Sequence, residues 1–106
     1  MTIDVLRSLC DDKDNIHMTF HVSERCRKRN ITSKSIIHSI LNGEIIEDYP
    51  NDYPFPSALV LGCDTEDKKL HVVAGVGDDI LWIVTAYYPD ENWWESDFKT
   101  RKGRDK

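Results

Sequence analysis

No hydrophobic run in this 106-residue chain approaches the ~20 apolar residues that a bilayer-spanning helix needs. The opening "MTIDVLRSLCDDKD" lacks the basic start and apolar centre of a secretory signal, so a cytoplasmic protein without membrane contact is the expectation. Cysteine is scarce. Cys10, Cys26 and Cys63 are odd in number and far apart, which argues against a disulfide framework. There is no CxxC pair, and Cys10, His17, His21 and Cys26 match no standard zinc spacing. The thiols therefore read as inert, and neither metal nor cofactor is expected.

A net charge of −5 also argues against generic nucleic-acid binding, which needs lysine and arginine for phosphates. The distribution of that charge says more. Arg25, Arg27, Lys28, Arg29 and Lys34 against Glu24 give residues 21–34 a net of +4. Lys99, Arg101, Lys102, Arg104 and Lys106 against Asp105 give residues 98–106 another +4. Between them, residues 35–97 hold thirteen acids and two lysines, a net of −11. Such asymmetry suggests a basic site on an acidic body. The bland reading is that both clusters are solvated.

The length suits one domain. Thr2 can cap a short helix with Ile3, Val5, Leu6 and Leu9 as its apolar stripe. "IHMTF" fits a brief edge strand, and a helix is expected from about Val22 to Arg29. With Thr32 as the next N-cap, Ile31 and Ile36 stand at the hydrophobic-staple positions. Ile36, Ile37, Ile40 and Leu41 then form a buried face that Asn42-Gly43 stops. Beyond Gly43 the period changes to that of strands, near 44–49, 57–63, 69–76 and 80–88. Short polar turns imply antiparallel neighbours. The expected fold is α+β in two layers: N-terminal helices on a four-stranded antiparallel sheet, one domain over 1–98 and a basic, frayed tail over 99–106.

On a helical wheel His21, Arg25, Lys28 and Arg29 fall within about a quarter of the circumference. Val22 and Cys26 border that arc and point to the core, so the basic margin is partly shielded and acts more strongly on an anion. The competing reading is that these arginines snorkel and pair with acids such as Glu47 or Asp48. Thr85 and Tyr87, two apart, share a sheet face. An odd-length loop at "GDD" sets His71 opposite Thr85; an even one sets it opposite Ala86, on the other face.

The ordered series "HVSERCRKRNIT", "NGEIIEDYP", "LHVV" and "IVTAYYP" resembles the bacterial family called domain of unknown function 4258 over about residues 17–98. That family is similar to ribonuclease toxins of the RelE and MqsR type, with the barnase–EndoU–colicin–RelE fold. The resemblance implies RNA cleavage, an RNA substrate, and a small zinc-finger antitoxin as partner. His21, Arg25 and Arg29 match its helix motif, Gly43 and Tyr49 its middle, and His71, Thr85 and Tyr87 its strands. Metal-free cleavage needs a base, an acid and cations around the phosphate. His21 or His71 suits proton transfer, while Arg25 and Arg29 suit forked phosphate contacts. Lys28 and Arg101 add RNA-binding charge, and Tyr87 can hydrogen-bond or stack on a base. The acidic balance is unlike the basic toxins of this type. It keeps open a binding module of the same fold, with "YYPDENWW" as a protein-facing surface.

Overall fold

The computed structural model describes residues 1–103 of the chain. Three helices, α1 (Ile3–Leu9), α2 (Phe20–Lys28) and α3 (Ser33–Asn42), accompany five strands. The strands are β1 (Ile16–Met18), β2 (Glu44–Tyr49), β3 (Ser57–Cys63), β4 (Lys69–Gly77) and β5 (Ile80–Tyr87). The sheet order is β1-β5-β4-β3-β2. Strands β2 to β5 form the antiparallel meander that alternation predicts, over nearly the expected residues. The expectation of a four-stranded, purely antiparallel sheet is corrected by β1, which adds a fifth strand parallel to β5. With three residues, β1 is too short for its pairing direction to be read from alternation. The class is α+β. No helix among the described residues is long and apolar enough to cross a membrane.

The helices form where their caps predict, with small shifts. Thr32 accepts from the Ser35 amide, and Ile31 and Ile36 are both buried, as the staple requires. Leu41, expected on the buried face, is exposed. Helix α2 starts two residues earlier than its apolar pattern suggests because Thr19 caps it, accepting from the Val22 amide. Asn30, in the left-handed region at φ 60°, ends it. All three helices cover one sheet face, where Leu6, Cys26, Ile36 and Ile40 pack on Val60, Leu70, Val72, Ala74 and Ile83. Helix α3 sits so close to β3 that a Cβ at Gly62 would collide with the carbonyl oxygen and hydroxyl of Ser39.

Two bulges decide which polar groups reach the other face. The β4–β5 turn carries Asp78 and Asp79 at φ 57° and 60°, a two-residue connection of the kind that matches strand twist. That even-length loop alone would set His71 opposite Ala86 and turn Thr85 and Tyr87 toward the helices. The register shifts between Val73 and Ala74, and His71 pairs with Tyr87 instead, with Thr85 opposite Val73. Neither register read from the sequence for His71 holds: the extra residue lies in β5, and it turns Thr85 and Tyr87 onto the helix-free face that His71 already occupies by alternation with Leu70, Val72 and Ala74. A second shift between Ile45 and Glu47 turns Glu47 to that same face, opposite Leu59.

Residues 89–103 fold across this second face as a strap. Trp94 is 4% exposed and bridges to Arg101. Lys99 pairs with Glu44 at 2.6 Å, and Arg101 reaches Glu47. Residues 99–103, expected to fray, are therefore anchored, because the acids that hold them come from β2. The rest of the expected frayed tail, 104–106, lies outside the described residues.

Gly62→Ala tests the helix–sheet contact. The obstructing atoms are largely backbone and cannot swing away, so we expect a loss of about 3 kcal/mol, the upper part of the overpacking range, read by urea unfolding. A change below 0.5 kcal/mol contradicts the packing.

Candidate functional site

His71 lies at the centre of the strap-covered face with 0% exposure. Its Nε2 lies 2.8 Å from the carbonyl oxygen of Phe98. A carbonyl only accepts, so Nε2 carries the proton and Nδ1 is left as an acceptor. The Tyr87 hydroxyl lies 3.2 Å from Nδ1 and donates to it. Burial holds the imidazole below the ordinary histidine range, against the opposing pull of the Phe98 hydrogen bond and the Glu47 charge. The neutral ring is boxed by Trp94, edge-on at 4.5 Å, and by Tyr87 at 5.2 Å.

Beside it, Arg101 grips Glu47 through two bonds, Nε to Oε2 at 2.8 Å and Nη2 to Oε1 at 2.9 Å. Tyr49 donates to the same carboxylate. Burial, then the Glu47 bond, pushes the Tyr49 hydroxyl up to about 12. The Arg101 guanidinium also lies 4.7 Å from the centre of the Trp94 ring, a cation–π contact. Tyr87, Trp93, Trp94, Arg101 and Lys102 line a recess of about 430 Å³. The recess thus brings Tyr87, backed by a neutral histidine, together with two cations and one acid, Asp90. Trp93, 71% exposed, offers an open ring at its rim.

Of the residues singled out in the sequence, His71 and Tyr87 touch, Thr85 shares their face, and Arg101 joins them from the strap. Arg29 meets strand β5 by a different route: its Nη1 donates to the Ala86 carbonyl oxygen at 2.8 Å, beyond the stretch of β5 that β1 pairs. His21, Arg25 and Lys28 are exposed on α2, and the snorkelling pairs weighed for this helix take another form. Arg27 pairs with Glu24 at 2.8 Å, while Glu47 is held by Arg101. Glu47, Phe98 and Lys102 are not among the site residues the sequence points to, and Trp94 enters there only within the protein-facing "YYPDENWW". Glu47 reaches the face through a bulge that alternation does not reveal, and the others belong to a segment without periodicity. Among the described residues no three side chains of histidine, cysteine or acid type gather as a metal site.

The buried imidazole makes stability depend on pH. Its folded-state pKa is lowered from 6.5, so the unfolded chain takes up its proton first. The contribution is complete above about pH 6.5 and is lost as the pH falls from there toward the lower folded-state value. Thermal midpoints measured from pH 8 to pH 5 should therefore fall more steeply for wild type than for His71→Gln. Parallel curves would show that His71 is not held neutral.

A family model described as "Domain of unknown function (DUF4258)" matches residues 18–88. No curated protein and no solved structure matches the chain. The matched span runs from the end of β1 through Tyr88, so it includes α2, α3, the whole meander and His71, and stops before the strap. The chain belongs to the DUF4258 family.

Proposed function

We propose that this protein is a metal-independent endoribonuclease, the toxin of a bacterial toxin–antitoxin pair acting in the cytoplasm and held in check by a small zinc-finger antitoxin. The observation that carries the reading is the Tyr87–His71–Phe98 chain opening on a recess that also presents Arg101 and Lys102. In this mechanism the 2′-oxygen of a ribose attacks the adjacent phosphorus. Its proton passes to the Tyr87 oxygen as the tyrosine's own proton passes to Nδ1 of His71. The imidazolium so formed is stabilised by the Phe98 carbonyl and by Glu47. The bond from phosphorus to the 5′-oxygen breaks, and that oxygen takes up a proton from solvent. The products are a 2′,3′-cyclic phosphate and a 5′-hydroxyl. Arg25, Arg29, Lys28 and Arg101 bind the phosphates, and Thr85 lines the approach on the same face as Tyr87.

A second reading has its own support. His71 is sealed under Trp94 and the Phe98 main chain, and Arg101 is already paired with Glu47. A closed site of that kind suits a module that binds protein or RNA without cutting it.

Purified protein incubated with mixed RNA in chelator separates the two. Under the enzyme reading Tyr87→Phe and His71→Gln each lower the rate by roughly 10²–10⁴. Arg25→Ala should cost on the order of 1.5–3 kcal/mol of transition-state stabilisation. Equal cleavage by all variants would indicate a contaminating nuclease. RNA binding without cleavage by wild type would select the module.

A further inference from the structure

A second cleft lies at the other end of the helix-free face, away from the strap. Tyr53, Phe55, Gly75, Trp82 and Val84 line it beside the start of α2, around a space of about 450 Å³. Phe55 and Trp82 stack at 5.9 Å with 20° between their planes, and His17 meets Trp82 edge-on at 5.3 Å. Tyr53 is 92% exposed and Val84 47% exposed at the rim. The loop that presents Tyr53 is braced by Asp52, which accepts from the Ser57 hydroxyl at 2.6 Å and from the Tyr53 amide at 3.2 Å. A soluble domain gains nothing in stability from an aromatic ring held out in water on a braced loop.

We propose that this cleft is a stacking subsite for one unpaired base of a single-stranded RNA whose backbone runs toward Tyr87. The proposal rests on the ribonuclease reading and names how its substrate is held. Three observations favour a base over an apolar polypeptide. Tyr53, Phe55 and Trp82 bring three aromatic rings to the cleft, and a ring face accepts any base. Thr19 and Val22 bring the start of α2 to the cleft, and the helix carries exposed Arg25 and Lys28 farther along, cations of the kind a phosphate backbone needs. Strand addition, the common polypeptide mode, is obstructed at this level because β1 already pairs residues 81–83 of β5. From Trp82 to Tyr87 the strand spans roughly 16 Å at ~3.3 Å per residue, a few nucleotides of an extended single strand. Thr85 lies on the way, on the same face.

The test uses the full chain and a non-cleavable 2′-O-methyl octanucleotide, beside versions carrying one abasic position at each site in turn. Affinities are measured by fluorescence anisotropy at fixed salt. For wild type, one abasic position should weaken binding about 5- to 150-fold, the counterpart of the ~1–3 kcal/mol that a stacked base contributes. Tyr53→Ala should bind the intact oligomer as weakly as wild type binds that abasic one, and Tyr53→Phe should bind normally. Val84→Glu, a surface change at the rim, should weaken binding without altering the thermal midpoint. If wild type binds every abasic oligomer equally, or if Tyr53→Ala and Val84→Glu bind as wild type while Arg101→Ala does not, the subsite is overturned and RNA binding at the recess stands. No binding of any oligomer by wild type overturns both.

Discussion

A histidine placed in the middle of a sheet, with no surface left to water, must satisfy both ring nitrogens or be expelled. His71 does so by holding the Phe98 carbonyl with one nitrogen and the Tyr87 hydroxyl with the other. The first bond ties the strap to β4, and the second orients a tyrosine of β5 toward the recess. Trp94 completes the enclosure. Removing the imidazole would therefore loosen a fifteen-residue covering segment, 89–103, as well as a hydroxyl. No buried side-chain nitrogen or oxygen among the described residues lacks a hydrogen bond.

The bulges make this arrangement possible, and they mark where sequence reasoning stops. Alternation in "SALVLGC" and "KLHVVAGV" located β3 and β4 closely because each is a long β-branched run with polar turns on both sides. The Ile31–Ile36 staple and Gly43 located α3 for equally local reasons. Register is different, since a single inserted residue moves every later side chain to the opposite face. Nothing in "ILWIVTAYY" distinguishes the residue that will be extra. The basic arc of α2 was legible as a stripe, but the Arg29 contact with Ala86 depends on where β1 ends. The anchoring of the strap was illegible, because its holdfasts are isolated aromatic and charged residues in a polar stretch.

Electrostatics assigns the two basic clusters different work. Lys99 and Arg101 are drawn to Glu44 and Glu47 of the acidic body. Exposed pairs such as Lys99–Glu44 contribute little, because water and salt screen them. The Arg101–Glu47 pair is forked and more enclosed, and so stronger, though the Arg101 side chain is 39% exposed and solvent screens part of it. The cluster on α2 is less committed: Arg27 meets Glu24 and Arg29 meets a main-chain carbonyl. An acidic domain thus keeps an accessible positive margin beside the open part of its sheet.

The central claim is that His71 is neutral, protonated on Nε2, and accepts from Tyr87. Long-range ¹H–¹⁵N correlation spectra of the histidine rings at pH 7 read this directly. The account predicts one imidazole in the neutral Nε2–H form, with an Nδ1 signal that shifts in Tyr87→Phe. An imidazolium at that position, or a ring protonated on Nδ1, would contradict it.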